Sequence, residues 1–476
     1  MGALLTCAAT NLCECALCMG CNCFGSLVSA TLGQAARMAH LLLYISIFVL
    51  AVVLGNTYQD HLVGTSTFTV AYYVKIPNSL NIQTLTAGCD PLYLHQCVAN
   101  QVIYRASCAL TFFFMIMAVI ATLSDGINKG MWGLKVIGVF GAFIAFWYGN
   151  NDFFSGFAEV ARVVSFLWLL VQGLLMLDIA HDAHDITMQK AEQEEVQSGG
   201  SSSVWKLSYI VLALGFLAAG IAGLSYLFAV PGYTGCHTGM TVVVVGLLVS
   251  ITQLVISALN SVNRGVLTPC IMFAYATFSV WYALLSCPDV QCNPSAILSG
   301  SNAKQTALGI VVALSLFILL FCVVNGARIL QIFSPSGQGV LETSYGGYGT
   351  NNPTRTDGSL DDVLTGEKPK AKAAEIGHTM DRDGEEEPIS ATSTNVPNSS
   401  GPSKERMFFH VLMTLASCYG GMVLTSWGRT NGSPESVGDY SAAGAESMWL
   451  KLTSLWLFFL MYYKALHLSY QIEANK

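Results

Sequence analysis

The sequence predicts an all-α, polytopic membrane protein of about ten transmembrane helices, on three observations. Apolar runs close to twenty residues recur between residues 38 and 470, and about twenty helical residues cross the roughly 30 Å of hydrocarbon in a bilayer. Hydrophobic residues make up 53% of the chain and charged ones 11%, less than half of the roughly 25% charged that soluble domains carry. Residues 155–195 form one stretch with no proline and a single interior glycine, Gly173. As a helix this stretch would run roughly 60 Å, about twice the hydrocarbon thickness, so the rod must tilt strongly or project into water.

Taken in order, residues 1–36 hold six cysteines: Cys7, Cys13, Cys15, Cys18, Cys21 and Cys23. The segment carries Glu14 and no Lys or Arg ahead of the apolar stretch. It therefore lacks the basic start of a cleavable signal peptide, and insertion falls to the first span. The C-x-x-C spacings among Cys15, Cys18 and Cys21 are compatible with zinc. With no histidine nearby and apolar residues between, acylated thiols at a membrane surface fit at least as well. Met1 and Gly2 followed by Thr6 match the pattern for N-myristoylation.

Ten spans follow, at about 38–55, 101–123, 131–149, 155–180, 204–230, 237–260, 268–286, 305–333, 406–427 and 447–470. The domain layout is a membrane-associated segment 1–36, spans one to eight in 37–333, a polar loop 334–405, and the last two spans with the tail in 406–476. An even count places both termini on one side. With the termini inside, eleven Lys and Arg fall on the cytosolic side, and five, Lys75, Arg105, Lys304, Arg429 and Lys451, fall opposite. That asymmetry favours cytosolic termini. Of the two acceptor sequons, only Asn431-Gly-Ser would then face the lumen; a glycan on Asn398 would reverse the orientation.

This topology puts Cys89, Cys97, Cys236, Cys287 and Cys292 where disulfides persist. Cys89–Cys97 and Cys287–Cys292 are the natural local pairs, with connectivity left open by spacing. Cys108, Cys270, Cys322 and Cys418 read as packing residues. Gly141 with Ala145, Ala219 with Gly223, and Gly149 have the small side chains that let helices approach closely in lipid. Loop 334–405, rich in Gly, Ser, Thr, Asp, Glu and Lys, is expected to be disordered and cytosolic. Its acidic run Asp381–Glu387 offers a docking point for an adaptor, although a solvated acidic run is the plainer reading.

The rod carries the candidate chemistry. Glu159 and Arg162 lie three apart and can pair on one helical face. Against lipid they are costly, so they form either a mutual ion pair near the outer interface or one end of a polar groove for a lipid headgroup. Arg105, Asn150, Asn151 and Asp152 would extend that groove. Further along, Asp178, His181, Asp182 and Asp185 share one narrow stripe. A divalent cation or a proton relay is conceivable there; a solvated extension meeting headgroups and neighbouring loops is the expectation.

Several blocks, in order, resemble the serine incorporator family of multipass membrane proteins. They are Gly88-Cys89-Asp90, Val102-Ile103-Tyr104-Arg105, Leu177–His181, Cys292-Asn293-Pro294, Phe408-Phe409-His410, Leu415-Ala416-Ser417, Leu424–Trp427 and Trp449–Leu452. The resemblance implies two helical bundles divided by a long, oblique fourth helix, with a flexible cytosolic loop between the eighth and ninth. It also implies a role in phosphatidylserine and sphingolipid biology, including scrambling between leaflets.

No G-x-S-x-G, P-loop or H-E-x-x-H motif occurs, and no basic stripe suggests nucleic acid. The leading expectation is a non-enzymatic, cofactor-free, metal-free protein that lets phospholipids, phosphatidylserine among them, cross the bilayer without an energy source. Glu159, Arg162, Asp178, His181 and Arg105 are its pathway candidates. A sterol or a second copy of the chain is a possible partner, in endomembranes or the plasma membrane. The rivals are a secondary transporter of serine or another small solute, and an accessory scaffold for serine-lipid synthesis. Proline is nearly absent from span interiors and no repeat is evident, which places the transporter lower.

Overall fold

The computed structural model describes residues 32–57, 83–87, 94–198, 203–229, 236–258, 265–287, 302–324, 402–428 and 444–474, with short pieces at 69–70, 74–75, 89 and 292–294. The cysteine-rich start, with its zinc and lipidation readings, and most of loop 334–405 lie outside them, as do both sequons. The elements are helices α1 (Leu32–Thr57), α2 (Gln83–Thr86), α3 (Leu94–Leu123), α4 (Asp125–Lys129), α5 (Trp132–Phe146) and α6 (Asn151–Ser198). Then come α7 (Ser203–Ala229), α8 (His237–Ala258), α9 (Leu267–Leu284), α10 (Asn302–Val324), α11 (Pro402–Leu424) and α12 (Ala445–Ala474). Between α1 and α2 a minimal antiparallel pair, β1 (Thr69–Val70) and β2 (Val74–Lys75), is the only sheet among the described residues.

Seven helices are long and apolar enough to cross a membrane, while Trp132–Phe146 and Leu308–Val323 are apolar but shorter. Length and composition thus support seven spans among the described residues, against the ten expected. Their outward faces are aliphatic: Ile137 is 70% exposed and Val119 62% exposed. Exposed apolar surface on so many helices at once is what contact with lipid requires.

The buried apolar side chains form two clusters, and α6 belongs to both. The first gathers α1, α3, α5, α10 and α11 around Ala158, Ala161, Trp168 and Leu175 of α6. The second gathers α7, α8, α9 and α12 around Leu177 and Ala180. Met176 packs against each. At 48 residues, α6 runs roughly 70 Å, well over twice the hydrocarbon thickness. It passes from one bundle to the other along its length.

Close helix approach depends on a few small residues. A Cβ on Gly173 of α6 would lie 2.7 Å from the Phe458 ring of α12, and one on Gly223 of α7 would lie 2.9 Å from Thr277 of α9. Gly220 of α7 likewise sits against Phe273. Gly141 differs from the expectation: no atom stands within 4 Å of its would-be Cβ, and Gly141 and Ala145 are both exposed. They form no helix contact.

Cys89 and Cys97 are disulfide-bonded, with Cα atoms 5.8 Å apart. The expected Cys287–Cys292 pair is corrected: Cys292 bonds Cys236, just before α8, with Cα atoms 5.1 Å apart. Asn293 explains the choice. Its Nδ2 donates to the carbonyls of Leu285 and Cys287, folding the segment back over the end of α9. Cys292 thereby reaches Cys236, and Cys287 stays buried outside the bond.

Candidate functional site

The seam between the bundles begins at Arg162. Its Nη1 donates to Glu159 Oε2 at 2.6 Å, one turn back, and to Glu446 Oε2 at 3.2 Å on α12. The guanidinium side chain is 5% exposed, whereas the side chains of Glu159 and Glu446 are 61% and 67% exposed. One buried cation thus lies beneath two exposed carboxylates on two helices. Glu446, a residue no local spacing singles out, completes the cluster.

Beyond Arg162, the polar side chains of α6 turn inward. Ser165, Gln172, Asp178 and His181 are all buried, while Val160, Val163 and Leu167 form the exposed face. The expected groove is therefore a covered seam: its polar groups are shielded by the bundles, and the helix offers lipid its aliphatic side. Ser165 satisfies its hydroxyl on the Ala161 carbonyl at 2.6 Å. His181 Nδ1 lies 3.4 Å from Thr268 Oγ1 of α9, which also reaches the Ala180 carbonyl. Asp178 and His181 are consequently part of the α6–α9 contact, while Asp182 and Asp185 are half-buried. Among the described residues no three His, Cys, Asp or Glu side chains converge to hold a metal ion.

Arg105 is placed differently from its expected role in the groove. It is fully buried, and its Nε donates to the Phe146 carbonyl at 3.0 Å. Nη1 reaches Gln101 Oε1 at 2.6 Å, and Nη2 reaches the Gly149 carbonyl at 3.1 Å and Asn151 Oδ1 at 2.6 Å. The Phe154 ring covers its flat face at 4.2 Å. The carbonyls left open at the end of α5 and the first residue of α6 are joined through this one fork. Arg105 is a buried clamp at the α5–α6 corner with no lipid-facing surface.

Two further features were not singled out from the sequence. An apolar groove of about 220 Å³ lies between α1, α10 and α11, lined by Phe48, Val52, Val312, Leu316 and Val423 among others. Near the other end of α1, His40 and His410 are buried with ring centres 4.8 Å apart. Trp132 stands against His40, and Asn128 Oδ1 is 2.7 Å from His410 Nε2. Only the three-dimensional fold joins residues nearly four hundred positions apart in this way.

Taken together, the lipid-facing helical surface, the paired bundles and the charged seam define a polytopic integral membrane protein of all-α class. A sequence model of the family described as Serine incorporator (Serinc) matches residues 7–468. Several relatives are similar over most of their length. A probable serine incorporator of Nematostella vectensis is 24% identical over 384 residues, 76% of each chain. Serine incorporator 2 of Bos taurus is 23% identical over 392 residues, 77% of this chain and 76% of its own. Serine incorporator 3 of Mus musculus is 23% identical over 400 residues, 79% of this chain and 78% of its own. The chain belongs to the serine incorporator family.

Proposed function

We propose that this protein lets phospholipids exchange between leaflets without an energy source, with phosphatidylserine among its lipids. The observation that carries the reading is the Glu159–Arg162–Glu446 cluster on α6 and α12. Such a cluster offers partners for each charge of a phosphoserine headgroup, which carries one ammonium, one carboxylate and one phosphate: the carboxylates take its ammonium, and the guanidinium takes its carboxylate or phosphate. Arg162 Nε has no hydrogen-bond partner among the described residues, so a donor is in reserve. The polar side chains that continue inward from Arg162 would receive the headgroup as the bundles part along α6. Acyl chains would stay in lipid or enter the groove between α1, α10 and α11. No covalent step or bound cofactor is involved in this scheme.

On this reading both termini face the cytosol, and the protein resides in endomembranes or the plasma membrane. The test is lipid exchange in liposomes holding the purified protein. Wild type should abolish leaflet asymmetry faster than protein-free vesicles, and Glu159→Ala with Arg162→Ala should slow exchange by about tenfold or more, as each 1.4 kcal/mol lost at a barrier does. Protein-free rates from correctly folded wild type would refute the proposal.

A further inference from the structure

A small cavity of about 30 Å³ lies where the bundles meet; its lining is mainly apolar, Phe278 and Phe458 included, and its polar side chains include Gln172 of α6, the tyrosines of α9 and α11, and Lys451 and Ser454 of α12. It has room for one or two waters or one small ion. Lys451 is the unusual member. It is 5% exposed, and its ammonium donates to Ser286 Oγ at 2.6 Å and to the Tyr282 carbonyl at 3.4 Å. Among the described residues no carboxylate lies within 4.0 Å of Lys451; the same holds for buried Arg105 and Lys135, but Arg105 is saturated by carbonyls and amides. Gln172, 3% exposed, has an Oε1 with no hydrogen-bond partner among the described residues.

Two ring faces attract the ammonium against the desolvation that burial imposes. The Tyr282 ring centre lies 3.8 Å from Nζ and that of Trp427 4.8 Å, a geometry in which π faces attract a cation. Trp427 is held there at a cost. It has φ of 63° and follows Ser426 with φ of 51°, two successive residues in left-handed backbone where bulky side chains are disfavoured. The Trp427 indole donates to the Tyr282 hydroxyl at 2.8 Å, locking both rings beside the ammonium. Neutral acceptors and ring faces offset part of the desolvation of a buried ammonium; a counter-charge offsets the rest.

We propose that the cavity holds a small monovalent inorganic anion, a halide such as chloride, paired with Lys451 at the junction of the bundles. The Tyr275 hydroxyl and the Gln172 amide, which can turn its NH₂ inward, supply the remaining donors. The volume suits a bare halide better than phosphate or a lipid headgroup. The site therefore stands or falls independently of lipid exchange.

The test is thermal unfolding of the full chain in nanodiscs at constant ionic strength, with sodium gluconate replaced stepwise by chloride or bromide. Wild type should gain several degrees with a saturating dependence, and phosphate should give no gain. Lys451→Met should lose the halide response and match or exceed wild type in gluconate, since it removes an uncompensated charge. Should that variant fail to fold, ³⁵Cl line broadening on wild type, relieved by bromide, carries the same decision. A wild-type Tm indifferent to halide, or a chloride line that bromide does not narrow, means that the cavity holds water beside a neutral amine.

Discussion

Three basic residues that look alike in one dimension behave in three ways. Arg105 is saturated by carbonyls and amides, Arg162 sits under exposed acids, and Lys451 is enclosed by rings and a hydroxyl. Arg105→Met should therefore be the most damaging of the three substitutions. It leaves several buried acceptors unpaired, and a loss of about 3–5 kcal/mol is expected. The measurement is the unfolding temperature and the monodisperse fraction after extraction. If Arg105→Met retains wild-type stability, the clamp has no structural weight. Cysteine chemistry gives a second prediction at this scale. Peptide mapping without reduction should recover Cys236 linked to Cys292, and Cys236→Ser should cost about 2–4 kcal/mol. Recovery of a Cys287–Cys292 peptide would contradict the structure.

Among the elements, α6 decides how the bundles meet, and at Gly173 it lies close against α12. Gly173→Leu drives a side chain into the Phe458 ring and should destabilise by about 1–3 kcal/mol through overpacking. The informative control is Gly141→Leu in α5, whose would-be Cβ meets nothing; its effect should stay within about 0.5 kcal/mol. Equal effects at the two positions would show that α6 and α12 do not pack as described. Sequence alone marks both glycines as small residues in apolar helices, because spacing records periodicity but not which face has a neighbour.

For the molecule as a whole, the two ends of the long polar insertion come together at Arg37 of α1. Its Nη1 donates to the Val323 carbonyl at the end of α10, and its Nη2 pairs with Glu405 near the start of α11. Arg37 thus ties the end of α10 and the start of α11 to α1. Deleting residues 334–400 should leave folding and lipid exchange within about twofold of wild type, since long surface insertions carry only a modest closure entropy. Loss of exchange with retained folding would instead favour the role of that segment as a docking scaffold.

Hydropathy and the length of one uninterrupted helix determined by themselves the all-α membrane class and the central rod, since crossing hydrocarbon imposes a composition and a span length that local sequence must satisfy; the resemblance to the family was carried by the ordered residue blocks. The partnership of Glu159 with Arg162 was legible for the same reason: three residues of helix bring them together. Tertiary structure alone decided that the seam is covered, that Glu446 joins it, that Cys292 turns to Cys236, and that Lys451 is buried without an acid among the described residues. Each of these depends on which helix lies beside which, a matter of packing between positions tens to hundreds of residues apart that no local pattern encodes.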